Sequence, residues 1–112
     1  MPDKDLVWLH GEVHTPPFSV AARRRAGFLL RLLQRGVNLA MPDSRPMPAL
    51  GARCHELRIR DPEKALIWRL IYRIDVDAII VGEVFAKKTP QTPQTALDTC
   101  KRRFQLYDLA AQ

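Results

Sequence analysis

Arg58, Arg60, Arg69, Arg73 and Lys87 sit in three short segments, 54–61, 67–75 and 78–87, where positive charge recurs at every second residue. Arginine carries a planar fork that grips two phosphate oxygens at once. Several such forks converging on one rigid surface would hold a phosphate and stabilise extra negative charge on it. In a strand, successive side chains point to opposite faces, so a period of two sorts each segment into two sides. Leu57 and Ile59 then oppose Glu56, Arg58 and Arg60. Trp68, Leu70, Tyr72 and Ile74 oppose Ile67, Arg69, Ile71 and Arg73, while Ile80 and Val84 oppose Ile79, Val81, Glu83, Phe85 and Lys87. The expected assembly is an antiparallel meander with one apolar face and one charged face. On the charged face Arg58, Arg69, Arg73 and Lys87 would form a phosphate-binding site. A second reading pairs Arg58 with Glu56 and Arg73 with Glu83 as cross-strand ion pairs on a solvated surface. On the residues alone the ion-pair arrangement is the commoner one; its weakness is that bases outnumber acids across all three segments.

The elements that would position this face follow from the rest of the chain. Residues 6–10, LVWLH, read as an edge strand before the breaker-rich GEVHTPPFS. His10 and His14 are four apart, but Gly11, Pro16 and Pro17 argue against a helix, so they read as turn histidines rather than a ligand pair. Ser19 is a suitable N-cap and Gly36 a suitable left-handed terminator for a helix between them. Ala22, Ala26, Leu29, Leu30, Leu33 and Val37 give it one apolar stripe, which should pack on the apolar face of the meander. The run Arg23, Arg24 and Arg25, with Arg31 and Arg35, reads as a solvated face that also suits phosphate contact. Residues 41–52 hold three prolines and a glycine and read as a loop. The segments 61–64 and 75–77 are short hairpin connections. A last helix over about 93–109, capped by Thr92 or Thr95, would carry Leu97, Cys100, Phe104 and Tyr107 as its apolar stripe. The expected fold class is α+β: a twisted antiparallel sheet of about four strands packed against an N-terminal helix, with a C-terminal helix.

A chain of 112 residues with 46% hydrophobic and 27% charged residues suits one globular domain, here residues 1–112. Eighteen basic against twelve acidic residues give a net charge of +6, which favours an anionic partner without choosing among RNA, DNA, a membrane surface or an acidic protein. Cys54 and Cys100 have no CxxC spacing and no secretory signal before them, so they read as reduced thiols of a cytoplasmic protein. No apolar run approaches the roughly 20 residues of a membrane-spanning helix.

The pieces LVWLHGEVHTPPFS, MPDSRPMP, HELRIRD, WRLIYRID and EVFAKKTPQTP occur in an order that resembles the HigB-type, phage-derived branch of the RelE/ParE toxin superfamily. The resemblance runs from about Leu6 to Tyr107, most specifically at His55-Glu56-Leu57-Arg58, at Trp68-Arg69 with Tyr72-Arg73, and at Phe85 to Thr89 with Thr92-Pro93. Pro90 and Gln91 stand where the family pattern has Gln and Lys, one positive charge fewer. The resemblance implies the toxin of a type II toxin–antitoxin pair, a ribosome-dependent mRNA endoribonuclease needing no metal and no cofactor. Its implied partners are mRNA, the ribosome and a HigA-like helix-turn-helix antitoxin. Operator DNA would be met only through that antitoxin, and no membrane is involved.

For such an enzyme the substrate's own 2′-hydroxyl attacks the adjacent phosphorus. The protein removes that proton, stabilises the charged phosphate and protonates the leaving 5′-oxygen. Arg58, Arg73 and Lys87, with Glu83, are then the expected catalytic groups, and Arg60, Arg69, Phe85 and Lys88 the expected RNA contacts. Arg60 and Lys88 lie at strand ends, and Phe85 could stack on an unpaired base. Glu83, Glu56 and a lysine of depressed pKa at Lys87 are alternative bases. Alternation sends Tyr72 and His55 to the apolar face, where a core role is expected. Two other functions remain open: a ParE-like poison of DNA gyrase that is not a nuclease, and a non-toxic phage-derived nucleic-acid-binding or host-modulating protein.

Overall fold

The computed structural model describes residues 2–9, 17–86 and 91–111. Its elements in chain order are β1 (Asp5–Trp8), α1 (Val20–Gln34), β2 (Ser44–Pro46), β3 (Cys54–Asp61), β4 (Leu66–Ile74), β5 (Ala78–Ala86) and α2 (Gln94–Ala110). The strands form one mixed sheet in the order β1-β5-β4-β3-β2. The meander β3-β4-β5 is its centre, as the alternation predicts. β1 is an edge strand, and it runs parallel to β5. The expected four strands become five because Ser44–Pro46, inside the proline-rich stretch, pairs antiparallel with β3 at the other edge. An edge tolerates proline, since one side of the strand needs no donors.

α1 forms as the sequence dictates. The Ser19 hydroxyl accepts from the Ala22 amide at 3.1 Å, and Gly36 adopts φ +89 after the last turn. Its stripe of Ala22, Ala26, Leu29, Leu30 and Leu33 packs with Phe18 on Leu57, Ile59, Trp68, Leu70 and Tyr72. Val37 lies beyond the helix and is exposed. Asp61, expected in a short hairpin connection, is fully buried. It accepts from the Ser19 amide (3.0 Å), the Trp68 indole (2.9 Å) and the Lys64 amide (3.2 Å), joining helix start, turn and sheet. Burial disfavours its charge, yet these hydrogen bonds outweigh that cost and hold its pKa well below the usual carboxylate range.

Two expectations about the opposite face are corrected. The face is not simply charged: α2 lies on it, and Ala96, Cys100 and Phe104 form a second apolar cluster with Met47, Cys54, Ile71, Ala78 and Ile80. Strict alternation also fails in β5. Glu83 pairs with Ile71 but Val81 with Tyr72, so Gly82 is an extra residue, a bulge. The bulge puts Ile79 and Val81 with Val84 in the α1 core, and leaves Glu83 and Phe85 on the α2 side with Ile80. Glycine is required there by close approach: a Cβ on Gly82 would lie 2.9 Å from Phe104 Cζ and 3.0 Å from Cys100 Sγ. Neither Thr92 nor Thr95 caps α2, whose N-cap is Pro93. Both cysteines are free and buried.

Candidate functional site

On the α2 side of the sheet the registers place residues in rows. Arg60 is opposite Ile67. Arg58 is opposite Arg69, which is opposite Phe85. Arg45, Glu56, Ile71 and Glu83 form the next row, and Cys54, Arg73 and Ile80 the one after.

The second row is electrostatically unusual. The Arg58 amide donates outward to the Asp43 carbonyl at 2.8 Å, so Arg58 and Arg69 form a non-hydrogen-bonded pair, the kind in which side chains approach more closely. Like charges directly opposite destabilise a sheet. Arg69 is only 6% exposed, and its Nε and Nη1 find no hydrogen-bond partner among the described residues. The Glu56 carboxylate stands 3.7 Å from Nε, inside ion-pair range but too far for a hydrogen bond. Burial, and then the Arg58 charge, lower the Arg69 pKa, in the direction expected of an under-compensated cation. Among the described residues, Arg58 and Arg60 make no side-chain hydrogen bond or ion pair. These three guanidiniums have donors to offer an oxyanion. Phe85, on the far side of Arg69, is half-buried against the α2 cluster.

Glu56 anchors the neighbouring row. It has no solvent exposure and accepts from Arg45 Nε at 3.1 Å and the Thr92 hydroxyl at 2.9 Å. Arg45 Nη2 also donates to the Thr92 hydroxyl at 3.3 Å, closing a triangle over the segment that leads into α2. Sequence reasoning missed Arg45, because the surrounding prolines hid the strand that carries it. Glu83 accepts from the Val84 amide at 3.0 Å and stands 3.4 Å from Arg103 Nη1, so among the described residues it pairs with Arg103 and not with Arg73.

Arg73 does not join the other arginines. It is 7% exposed beneath α2, and both ends of its fork are occupied. Nε and Nη2 donate to Asp75 at 2.8 and 2.9 Å, and Nη1 and Nη2 donate to Asp108 at 3.0 and 2.6 Å. The guanidinium also lies 5.1 Å from the Phe104 ring centre and 5.9 Å from that of Tyr107. Hydrogen bonds to Asp108 and then Asp75 raise its pKa. Of the groups expected to converge, Arg58 and Arg69 lie opposite one another with Arg60 two residues along β3, while Arg73 stands in a separate ion-pair network. Lys87 and Lys88 lie outside the described residues, as do His10 and His14.

Of the two remaining groups, both expected in a core role, Tyr72 takes it and His55 is only partly buried. Tyr72 is buried in the α1 core with its hydroxyl 2.6 Å from that of Ser44, and burial raises its pKa. His55 stacks on Tyr72 with ring centres 5.4 Å apart.

The model of one protein family, described as phage-derived proteins of Gp49-like type (DUF891), matches residues 17–105. No curated protein and no solved structure matches the chain.

Proposed function

The chain belongs to the Gp49-like family of phage-derived proteins, part of the RelE/ParE-like toxin clan, and from that premise we propose that it is the toxin of a type II toxin–antitoxin pair that cleaves mRNA. The observation that carries this reading is the Arg58–Arg69 pair. A fold gains nothing from two guanidiniums placed opposite one another, one of them buried with unpaired donors. An anion that completes their hydrogen bonds turns that cost into binding energy. Interactions that tighten as charge develops on the anion accelerate its reaction.

In this reading the scissile phosphate lies over Arg58 and Arg69. The 2′-oxygen bonds to phosphorus as the bond to the 5′-oxygen breaks, leaving a 2′,3′-cyclic phosphate and a free 5′-hydroxyl. One proton leaves the 2′-hydroxyl and one reaches the 5′-oxygen. Without a metal ion, charge neutralisation on the phosphorane falls to the two arginines. Arg60 guides the adjoining backbone. Of the groups considered for proton transfer, Glu56 is enclosed and acts by holding Arg45 and Thr92, which leaves Glu83 and Lys87. Arg73 holds α2 in place. Ribosome dependence, and an acidic helix-turn-helix antitoxin that covers the arginine row, belong to the same proposal.

The test is induction in cells followed by primer extension on cellular mRNA. Wild-type protein is expected to arrest growth and leave discrete transcript ends, and Arg58→Ala to do neither while remaining folded. Intact transcripts with broken DNA would select the gyrase-poison reading. Unimpaired growth with and without the adjacent gene would leave a non-toxic nucleic-acid-binding protein.

A further inference from the structure

A groove of about 460 Å³ opens beside the arginine row, at the edge of β3 beyond the end of β2. Arg25, Asp43, Arg58 and Arg60 supply its charges, and Pro42, Pro62 and Ile67 its apolar surface. The volume falls in the range of small-molecule sites. Three guanidiniums face one carboxylate, and that carboxylate is already engaged: Arg25 Nη2 lies 2.9 Å from Asp43 Oδ1.

The backbone adds a second feature. In an antiparallel ladder the amide and carbonyl of one residue point the same way, and alternate residues point to the same side. The Arg58 amide points to the β2 side, where it meets Asp43. The Arg60 amide and carbonyl therefore also point outward, past the last β2 pairing at Leu57. A donor and an acceptor side by side at a strand edge match the hydrogen-bonding edge of a nucleobase. The prolines and Ile67 offer faces for the ring, and Arg58 and Arg60 offer free donors for the phosphate.

We propose that this groove is a nucleotide subsite: it takes one unpaired nucleotide of the RNA next to the scissile linkage, with the base read by the Arg60 main chain and its phosphate held by Arg58 and Arg60. The proposal rests on the ribonuclease reading, because Arg58 is shared between groove and scissile phosphate. The chemistry recognised is that of a nucleoside monophosphate. An acidic segment of a protein partner would use the arginines and could pair with the Arg60 edge, but it brings no flat ring to lay between the prolines and Ile67.

The experiment uses the ¹⁵N-labelled full chain titrated with 5′-AMP, 5′-GMP, 5′-CMP and 5′-UMP, alongside mapping of RNA ends produced by the protein. Shifts at the Arg60 and Ile67 amides that differ among the four nucleotides are expected. Arg60→Ala should weaken binding about tenfold, the loss of one charge-assisted contact. Ile67→Trp, which fills the groove, should abolish those shifts and change which linkages are cut. Nucleotide-dependent shifts without RNA cleavage would uphold the groove and sink the ribonuclease reading. RNA cleavage whose pattern is the same in Ile67→Trp, with silent Arg60 and Ile67 amides, would sink the groove and spare the ribonuclease. Equal shifts with inorganic phosphate alone would reduce the site to an anion contact and overturn base reading. Silence with nucleotides but response to a purified antitoxin would assign the surface to a protein partner and overturn the proposal.

Discussion

Arg69 and Arg73 stand four residues apart on one strand, on one face, and are buried to nearly the same degree, 6% and 7% exposed. Their surroundings differ in every other way. Arg73 has two carboxylates and two aromatic rings around its fork. Arg69 has another arginine opposite it, one carboxylate at 3.7 Å and two nitrogens with no partner. Arg73 is thus compensated within the protein. Arg69 is not, and in the proposed function it takes its charge from the bound RNA. Burial and sequence position alone do not separate a structural arginine from a binding one; the partner set does.

The comparison is broken or sharpened first by removing each residue. Arg73→Ala empties a doubly paired buried site, leaving Asp75 with Arg53 alone and Asp108 with solvent. It is expected to cost about 3 kcal/mol in urea unfolding, the size of a broken buried ion pair. Under the proposed function such a variant would lose toxicity through its fold. A value under about 1 kcal/mol would mean that the Arg73 network contributes no more than a surface pair.

Arg69→Met tests the opposite case. Methionine keeps much of the volume, removes the unpaired donors and ends the like-charge contact with Arg58. Stability is expected to rise by about 1 kcal/mol while RNA cleavage disappears. A clear loss of stability would show that Arg69 is satisfied in the folded protein, and the distinction from Arg73 would collapse.

How much of this was legible beforehand follows from where each signal lies. The helix, the meander and its apolar side were legible, because Leu29, Leu33, Leu57, Ile59 and Leu70 obey single periods from end to end. The Gly82 bulge was not, since a period of two carries no mark of an inserted residue, and one glycine is weak notice. β2 was hidden by prolines that only an edge strand tolerates. The list of basic residues was legible, but not their division. What removes Arg73 from the site is Asp108, 35 positions away, and no local pattern links the two. Asp75 was nearer at hand, yet it read as a turn residue.

A third test adds the missing charge. If the Arg58–Arg69 row lacks an anion, inorganic phosphate should stabilise the folded protein by mass action. At a few times the dissociation constant the gain is about 1 kcal/mol, visible as a small rise in Tm at constant ionic strength. The rise should vanish in Arg69→Met and persist in Asp108→Asn, which leaves the arginine row untouched. Equal rises in wild type and Arg69→Met would place the anion elsewhere.

The smallest expected effect is a pH dependence of the Arg73 network. The hydrogen bonds from Arg73 hold the Asp108 carboxyl below its usual pKa. A carboxylate whose folded pKa lies below its unfolded value contributes stability above the unfolded value, about pH 4, and loses it as pH falls through the folded one. Asp108 is half-exposed, so water screens the pair and its contribution is under about 1 kcal/mol. The difference in stability between wild type and Asp108→Asn should accordingly be constant from pH 7 to about pH 5 and shrink below about pH 4. A wild-type advantage over Asp108→Asn that grows in acid would reverse the sign and remove Asp108 as the counter-charge that keeps Arg73 structural.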